Sequence, residues 1–326
     1  MKKQLVFLAL AVIGLASCNG FKKGQNGLLY NIVVDKSGPS IQAGDFISIN
    51  FVIKNDADSV LASSYETGQP SSQLMQKPRD KGDILAGLSY LSEGDSAVIK
   101  TNLDSLTKGH PRPAGMKGKY IVYMIKVEKV IQKGNLSQEV FMGRCQAYVT
   151  TLMDKIKKQE PINIKKYVDD KRLKLTTTPS GFEYIITKQG NAEKPVKGDT
   201  VVVDYVGRLL NGKIFDTSIK SEAVKAKIPI NPMSPYKPIR FPLGDQGMIP
   251  GWNEGLLLLG KGDKATFIVP SNLAYGERGN GMVGPFTPLV FDVELVDVIH
   301  PNPNAPKPIV PAMPGQIKVV PQPVKK

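Results

Sequence analysis

An internal repeat constrains the fold of this chain more strongly than any other feature of its sequence. Four segments of the first half recur in the same order in the second half. They are residues 27–34, 45–52, 87–95 and 121–130, which match residues 181–186, 199–206, 255–263 and 289–298 respectively. Apolar and polar residues alternate in these segments over short runs that glycines interrupt, which is typical of half-buried antiparallel strands. The sequence therefore predicts two small, strand-rich domains of the same fold, over residues 27–132 and 175–300.

The segment between the two copies, residues 136–174, has the pattern of a helical linker. Its apolar residues recur at spacings of three and four, which forms one stripe of an amphipathic helix. The stripe consists of Phe141, Cys145, Tyr148, Leu152 and Ile156. Pro161 is expected to end this helix, and a shorter helical piece is expected from Ile164 to Leu173. We expect the stripe to pack on one of the domains; the alternative is a homodimer seam through residues 136–158.

The composition argues against several kinds of site. The chain has two histidines and two cysteines, so neither a His/Cys metal cluster nor a Cys–His nucleophile pair is expected, and no cofactor is predicted. The formal net charge is +14, but the lysines are spread along the chain without an arginine-rich cluster. This distribution favours a solvated surface near a membrane over nucleic-acid binding. Cys145 lies on the apolar stripe and is expected to be a buried thiol.

The first 17 residues have the pattern of a signal peptide, predicted over residues 1–17. Two lysines precede an apolar stretch, Leu5–Leu15, that is too short for a comfortable membrane span. The next residues, Ala-Ser and then Cys18, complete a pattern that resembles the lipobox of bacterial lipoproteins. That resemblance implies that Cys18 is acylated and anchors the mature chain to a membrane. Asn19 resembles the residue of lipoproteins sorted to the outer membrane, which implies the cell envelope, on the periplasmic side of that membrane. An ordinary secretory signal or a short anchor is the alternative.

The other end of the chain, residues 301–326, contains eight prolines. A segment of this composition cannot build a core of its own. The sequence therefore predicts a Pro-rich disordered tail.

Five ordered blocks in the second copy carry a family resemblance. They are YVGRLLNGKIFDTS (205–218), FPLG (241–244), IPGWNEGL (249–256), LAYG (273–276) and LVFDVEL (289–295). With these blocks the chain resembles the FKBP-type peptidyl-prolyl cis-trans isomerases from about residue 175 to residue 299. The resemblance implies an α+β fold for each copy, in which a curved antiparallel sheet wraps over one short α-helix. In the second copy this helix is expected at about 251–258, and Trp252 would open it.

The same resemblance implies which residues line a pocket. The catalytic positions would be Phe215, Asp216, Trp252 and Tyr275. The substrate-binding positions would be Tyr205, Phe241, Met248, Ile249, Val283 and Phe291. Taken singly, most residues of these types would more often be core residues than ligand-binding residues. Their joint spacing therefore carries the prediction of a pocket.

An apolar pocket suits the chemistry that the resemblance implies. Rotation about an X–Pro bond faces a barrier of about 18–20 kcal/mol because twisting destroys amide resonance. A cavity that desolvates the amide favours the twisted state without any nucleophile, and aromatic walls fit a proline ring. Tyr275 would donate a hydrogen bond to a substrate carbonyl. Asp216 would steer local electrostatics rather than transfer protons.

The first copy keeps the fold pattern but loses most of the pocket residues. Alignment of the repeats puts Phe51, Leu61, Ala62, Ile84 and Thr107 at the positions of Tyr205, Phe215, Asp216, Trp252 and Tyr275. We therefore expect residues 27–132 to form a degenerate, inactive copy. For the whole chain the sequence predicts a peptidyl-prolyl isomerase and folding helper whose partners are folding polypeptides with X–Pro bonds. The alternative is a non-enzymatic periplasmic chaperone or envelope adaptor that binds proline-containing segments.

Overall fold

The computed structural model describes residues 20–107, 112, 118–191, 193–226, 228, 236–244 and 247–301. The predicted signal peptide, the predicted lipidation site Cys18 and the tail from residue 302 onward lie outside the described residues. Within the described part of the chain, no helix combines the length and the apolar character that crossing a membrane requires.

The first domain is a sheet of seven antiparallel strands. They are β1 (Lys22–Lys23), β2 (Leu29–Val34), β3 (Phe46–Asn55), β4 (Val60–Ser63), β5 (Ser71–Leu74), β6 (Ser96–Asn102) and β7 (Tyr120–Ile131). The strand order is β1-β2-β6-β7-β3-β4, and β5 also pairs with β3. Two short helices, α1 (Ile84–Leu88) and α2 (Leu103–Thr107), flank β6 in the sequence.

The second domain repeats this topology after the long helix α3 (Gln138–Lys171). Its strands are β8 (Thr176–Thr177), β9 (Glu183–Lys188), β10 (Thr200–Leu209), β11 (Ile214–Thr217), β12 (Ile239–Pro242), β13 (Lys264–Val269) and β14 (Leu289–Ile299). The order β11-β10-β14-β13-β9-β8, with β12 beside β10, is that of the first sheet read from the other edge. Its helices are α4 (Lys220–Lys225) and α5 (Pro250–Leu256). The predicted α+β fold class, with two antiparallel sheets joined by a helix, is confirmed.

Corresponding hydrogen bonds show which residues of the two domains are structurally equivalent. The Ser64 hydroxyl accepts from the Phe51 backbone N–H at 2.9 Å and donates to Asn50 Oδ1 at 2.9 Å. The Ser218 hydroxyl accepts from the Tyr205 N–H at 2.9 Å and donates to Asp204 Oδ1 at 2.8 Å. Ser64 therefore ties the end of the β3–β4 hairpin to β3, and Ser218 ties the end of the β10–β11 hairpin to the corresponding point of β10.

Helix α5 lies close to its sheet because residue 255 is a glycine. A Cβ built there would come within 2.5 Å of Phe182 Cζ and 2.7 Å of Phe267 Cε2. These two rings are fully buried and meet edge to face at 5.0 Å between centroids. In the first domain, Gly87 of α1 has the same role, and a Cβ there would come within 2.8 Å of Ile99. In each domain, the contact between helix and sheet thus lies at the centre of the hydrophobic core.

The prediction that Pro161 ends the linker helix is wrong, because α3 continues through it to Lys171. A proline inside a helix costs about 3 kcal/mol, since it lacks an N–H and its ring crowds the carbonyl four residues earlier. Contacts of the helix with both domains offset this cost. Phe141 near the start of α3 is buried against the first domain, and Glu160 accepts two hydrogen bonds from the second domain. The helix ends at Arg172, which adopts a left-handed conformation with φ of 54°.

The apolar stripe of α3 packs on the first domain at its start and faces a cleft between the two domains further along. Phe141 and Cys145 are buried in a small cluster with Phe46 and Ile131 of the first domain. Further along the helix, Leu152 and Ile156 line a cleft of about 500 Å³. The other walls of that cleft are residues 65–68 and Pro70 of the first domain and residues 209–211 and 285–288 of the second. The stripe therefore connects the two domains within one chain.

We expect Gly255→Ala to lower the free energy of unfolding by about 1–3 kcal/mol, because the added methyl group overpacks the Phe182–Phe267 core. The matched control is Gly143→Ala in α3, where a Cβ meets nothing within 4 Å. That substitution should raise the free energy of unfolding by about 0.5–1 kcal/mol, because alanine favours a helix over glycine. Urea unfolding followed by circular dichroism measures both changes. An unchanged or higher stability of Gly255→Ala would contradict the role of the glycine in this packing.

Candidate active site

Trp252 lies in the first turn of α5 and forms the centre of an aromatic cluster. Its side chain is 2% exposed. Its ring centroid lies 5.1 Å from that of Tyr205 on β10 and 5.3 Å from that of Phe291 on β14, and both contacts are edge to face. Phe241 on β12 is tilted against it at 5.9 Å. Edge-to-face contacts are the favoured geometry for aromatic pairs, so the cluster holds the indole in a fixed orientation.

Phe215 extends the cluster to the edge of the sheet. It lies on β11, half-buried, with its ring 5.8 Å from that of Phe291 and nearly perpendicular to it. Gly207 on β10 makes this contact possible, because a Cβ there would come within 2.8 Å of both phenylalanine rings. The sequence analysis did not single out Gly207. The first domain has Ile53 at the corresponding position, so comparing the two copies could have identified it.

Asp216 joins the cluster through a hydrogen bond. The Tyr205 hydroxyl donates to Asp216 Oδ2 at 2.7 Å, and the Thr217 backbone N–H donates to Oδ1 at 2.9 Å. Burial, and after it the hydrogen bond to Asp216, raises the pKa of the Tyr205 phenol far above its ordinary value. The phenol therefore remains a donor, and the exposed carboxylate is held at the edge of the aromatic cluster.

The remaining predicted site residues belong to the same apolar cluster as Trp252. They are Met248, Ile249, Tyr275 and Val283. Ile249 precedes α5, and its carbonyl accepts from the Trp252 N–H at 3.0 Å. Tyr275 lies near Tyr205, since its charge when ionised would contribute to the raised pKa of that phenol. The structure thus brings the nine predicted apolar and aromatic residues together, with Asp216 attached through Tyr205.

The Trp252 indole Nε1 is buried and has no hydrogen-bond partner among the described residues. Leaving a buried donor unpaired costs about 1–3 kcal/mol.

The described residues contain no group of three or more His, Cys, Asp or Glu side chains that could hold a metal ion. What the pocket offers instead is an apolar surface with two phenols and one carboxylate at its edge. Such a surface can desolvate a bound amide and donate a hydrogen bond to it.

Among its described residues, the first domain lacks this cluster although its strands follow the same topology. Gln73 faces Ile47 across β5 and β3, as Phe241 faces Val201 across β12 and β10. Ala62 pairs with Ile53, as Asp216 pairs with Gly207. The hydroxyl of Thr107, the residue aligned with Tyr275, donates to the Leu103 carbonyl at 3.1 Å within α2.

Comparison with known proteins supports the resemblance of the second domain. A family model described as FKBP-type peptidyl-prolyl cis-trans isomerase matches residues 191–296. A probable FKBP-type peptidyl-prolyl cis-trans isomerase FkpA from Neisseria meningitidis serogroup B is 40% identical over 176 residues, which are 52% of this chain and 58% of that protein. FK506-binding protein 2 from Yarrowia lipolytica is 36% identical over 126 residues, which are 38% of this chain and 78% of that protein.

FkpA from Escherichia coli K12 is 39% identical over 140 residues, which are 43% of this chain and 45% of that protein. The crystal structure of FkpA from Escherichia coli matches with a TM-score of 0.39 and 32% identity, over 51% of this chain and 75% of that one. The chain thus spans 58% of the length of the Neisseria relative and 45% of that of the Escherichia relative.

We expect Asp216→Asn to lower the pKa of the Tyr205 phenol, because the substitution removes a negative charge that accepts its hydrogen bond. The pKa should remain above the ordinary value, since burial contributes more to the shift than Asp216 does. Nuclear magnetic resonance titration of carbon-labelled tyrosine rings measures the change. Asp292→Asn is the control, because Asp292 pairs with Arg208 and Thr266 instead. An identical Tyr205 titration in Asp216→Asn and the parent would contradict the hydrogen bond.

Proposed function

Because this chain belongs to the FKBP-type peptidyl-prolyl cis-trans isomerase family, we propose that its second domain catalyses the cis–trans isomerisation of X–Pro bonds in polypeptides. The uncatalysed reaction takes roughly 10–100 s, which is slow enough to delay folding. The enzyme would act on folding chains, without a covalent intermediate and without a cofactor.

The aromatic cluster suggests how the pocket lowers the barrier. Trp252 forms the floor on which the proline ring lies, and Phe215 and Phe291 form perpendicular walls around it. Inside this apolar space the amide loses its hydration, which favours the twisted state in which resonance is already lost. The pocket therefore needs shape and low polarity more than reactive groups.

Two polar groups would orient the substrate in the pocket. Tyr275 is half-buried at the edge, and its hydroxyl would donate to a carbonyl of the bound chain. The carboxylate of Asp216 carries a negative charge, and the hydrogen bonds from Tyr205 and Thr217 fix its position. A fixed charge near the rotating carbonyl favours one arrangement of its dipole without any proton transfer.

One observation carries this proposal: the two domains have the same topology, but the aromatic pocket is found in the second. The bonds of Ser64 and Ser218 recur in both domains, whereas the Trp252 cluster and the Tyr205–Asp216 bond occur in the second domain alone among the described residues. A module used only as a scaffold would not need the cluster, because the first domain has the same topology without it.

The cellular setting completes the proposal. Acylation of Cys18 would anchor the chain to an envelope membrane, where the second domain assists the folding of secreted or envelope proteins. The first domain would bind chains without isomerising them and so keep a substrate near the pocket. A homodimer through residues 136–158 would have to use exposed side chains such as Val140 and Met142, because Phe141 and Cys145 are buried within the chain.

A protease-free isomerisation assay on a proline tetrapeptide tests the activity of the full chain. We expect acceleration by the parent, and a fall in kcat/KM of about tenfold or more, which is 1.4 kcal/mol, in Trp252→Leu and in the double variant Asp216→Ala with Tyr275→Phe. Ile84→Ala is the matched control, because Ile84 occupies the position of Trp252 in the first domain. It should leave kcat/KM unchanged.

The same proteins distinguish the alternative function, a chaperone that binds proline-containing segments without turnover. In that case the parent would suppress aggregation of a refolding protein while giving no acceleration of the tetrapeptide. The proposal would be wrong if the parent gave no acceleration, or if the pocket variants were as active as the parent.

A further inference from the structure

The loop between β13 and β14, residues 270–288, carries two of the pocket residues, Tyr275 and Val283. We call it the rim loop. It begins with a 3-10 turn, Ser271–Leu273, whose first cap position is Pro270. Pro270 has no side-chain group that could cap this turn, so the N–H groups at its start need another partner.

Glu160 of helix α3 provides that partner. Its carboxylate accepts from the Ser271 backbone N–H at 2.5 Å and from the Ser271 hydroxyl at 2.7 Å. Ser271 is 4% exposed, and hydrogen bonds to an ionised group are about twice as strong as neutral ones. A residue of the linker thus holds the start of the rim loop of the second domain.

Ser271 in turn fixes the backbone on both sides of Tyr275. Its carbonyl accepts from the Ala274 N–H at 2.9 Å and from the Gly276 N–H at 2.8 Å. The Gly276 carbonyl accepts from the Phe286 N–H at 2.9 Å. A chain of hydrogen bonds therefore runs from Glu160 through Ser271 to the residues that flank Tyr275, and on to the far end of the rim loop.

A second residue of α3 contacts that far end. The Lys157 ammonium lies 5.8 Å from the centroid of the Phe286 ring, within the range of a cation–π contact. Lys157 precedes Glu160 by three residues, so both side chains extend from the same face of the helix. Phe286 has φ of 48°, a left-handed conformation that a bulky residue adopts only when its surroundings hold it there.

The first domain contacts the same loop. A Cβ on Gly284 would come within 2.6 Å of the Thr67 carbonyl oxygen, so the two backbones approach closely there. Beside this contact, Glu66 forms an ion pair with Lys213 of the second domain. The rim loop is therefore held by α3 at its start, and by α3 and the first domain together near its far end.

We propose that Glu160 is a positioning residue for the isomerase: it holds the rim loop so that the Tyr275 hydroxyl points to the substrate carbonyl. This inference rests on the proposed function, because it assigns Glu160 a task in that reaction. It also assigns the linker helix a task beyond joining the domains. Pro161 directly follows Glu160 and, because it lacks an N–H, cannot donate to the carbonyl of Lys157.

The test is a double-mutant cycle of Glu160→Gln and Tyr275→Phe in the full chain, measured as kcat and KM on a proline tetrapeptide. Glu160→Gln keeps the size of the side chain but loses the charge, and we expect kcat/KM to fall by about threefold to tenfold. In the Tyr275→Phe background the same substitution should have little further effect, because the group that Glu160 positions is already gone. Asp154→Asn is the control, since it removes the same charge from an exposed position of the same helix. It should leave the kinetics unchanged.

Hydrogen exchange provides a readout that does not depend on turnover. Glu160→Gln should speed the exchange of the Ala274 and Gly276 amides, while the amides of β13 stay protected as in the parent. Equal kinetics and equal exchange in Glu160→Gln and the parent would overturn the inference. So would a double variant whose loss of kcat/KM equals the product of the fold losses of the two single variants. A parent without turnover would instead refute the proposed function, and hydrogen exchange alone would then decide whether Glu160 holds the loop.

Discussion

The close approach of helix α5 to its sheet is the constraint on which the second domain depends. Position 255 must be a glycine, because the rings of Phe182 and Phe267 occupy the space that a side chain would fill. Trp252 precedes Gly255 by three residues and so lies on the same face of the helix. The packing that closes the core therefore also presses the indole against Tyr205 and Phe291. The centre of the core and the floor of the pocket are two parts of one contact between helix and sheet.

The two domains separate what this fold requires from what the proposed chemistry requires. The hairpin bonds of Ser64 and Ser218 and the glycines of α1 and α5 recur, and they maintain the shared topology. The aromatic cluster does not recur, since Ile84 and Gln73 stand at the positions of Trp252 and Phe241. A fold of this kind tolerates loss of the pocket because the contacts that recur in both domains do not involve the pocket side chains.

The sequence predicted those features whose signals are local or repeated. Alternation within the strands, and the same order of segments in both halves, predicted the two sheets. The resemblance of the five ordered blocks to the FKBP-type family predicted which side chains meet, among them Tyr205, Phe215 and Trp252. Features that depend on distant contacts were not predicted. The continuation of α3 through Pro161 relies on packing against both domains, and a local rule for proline cannot include that packing. Glu160 and Ser271 are 111 residues apart, and no periodicity relates them.

The single tryptophan of the chain has a further consequence. Because Trp252 is the only indole and lies in the second domain, tryptophan emission comes from that domain alone. The first domain contributes tyrosine signals only. Selective excitation of the indole therefore follows the melting of one of two domains with the same topology, without any label. It allows the order in which the twin domains unfold to be observed in the unmodified chain.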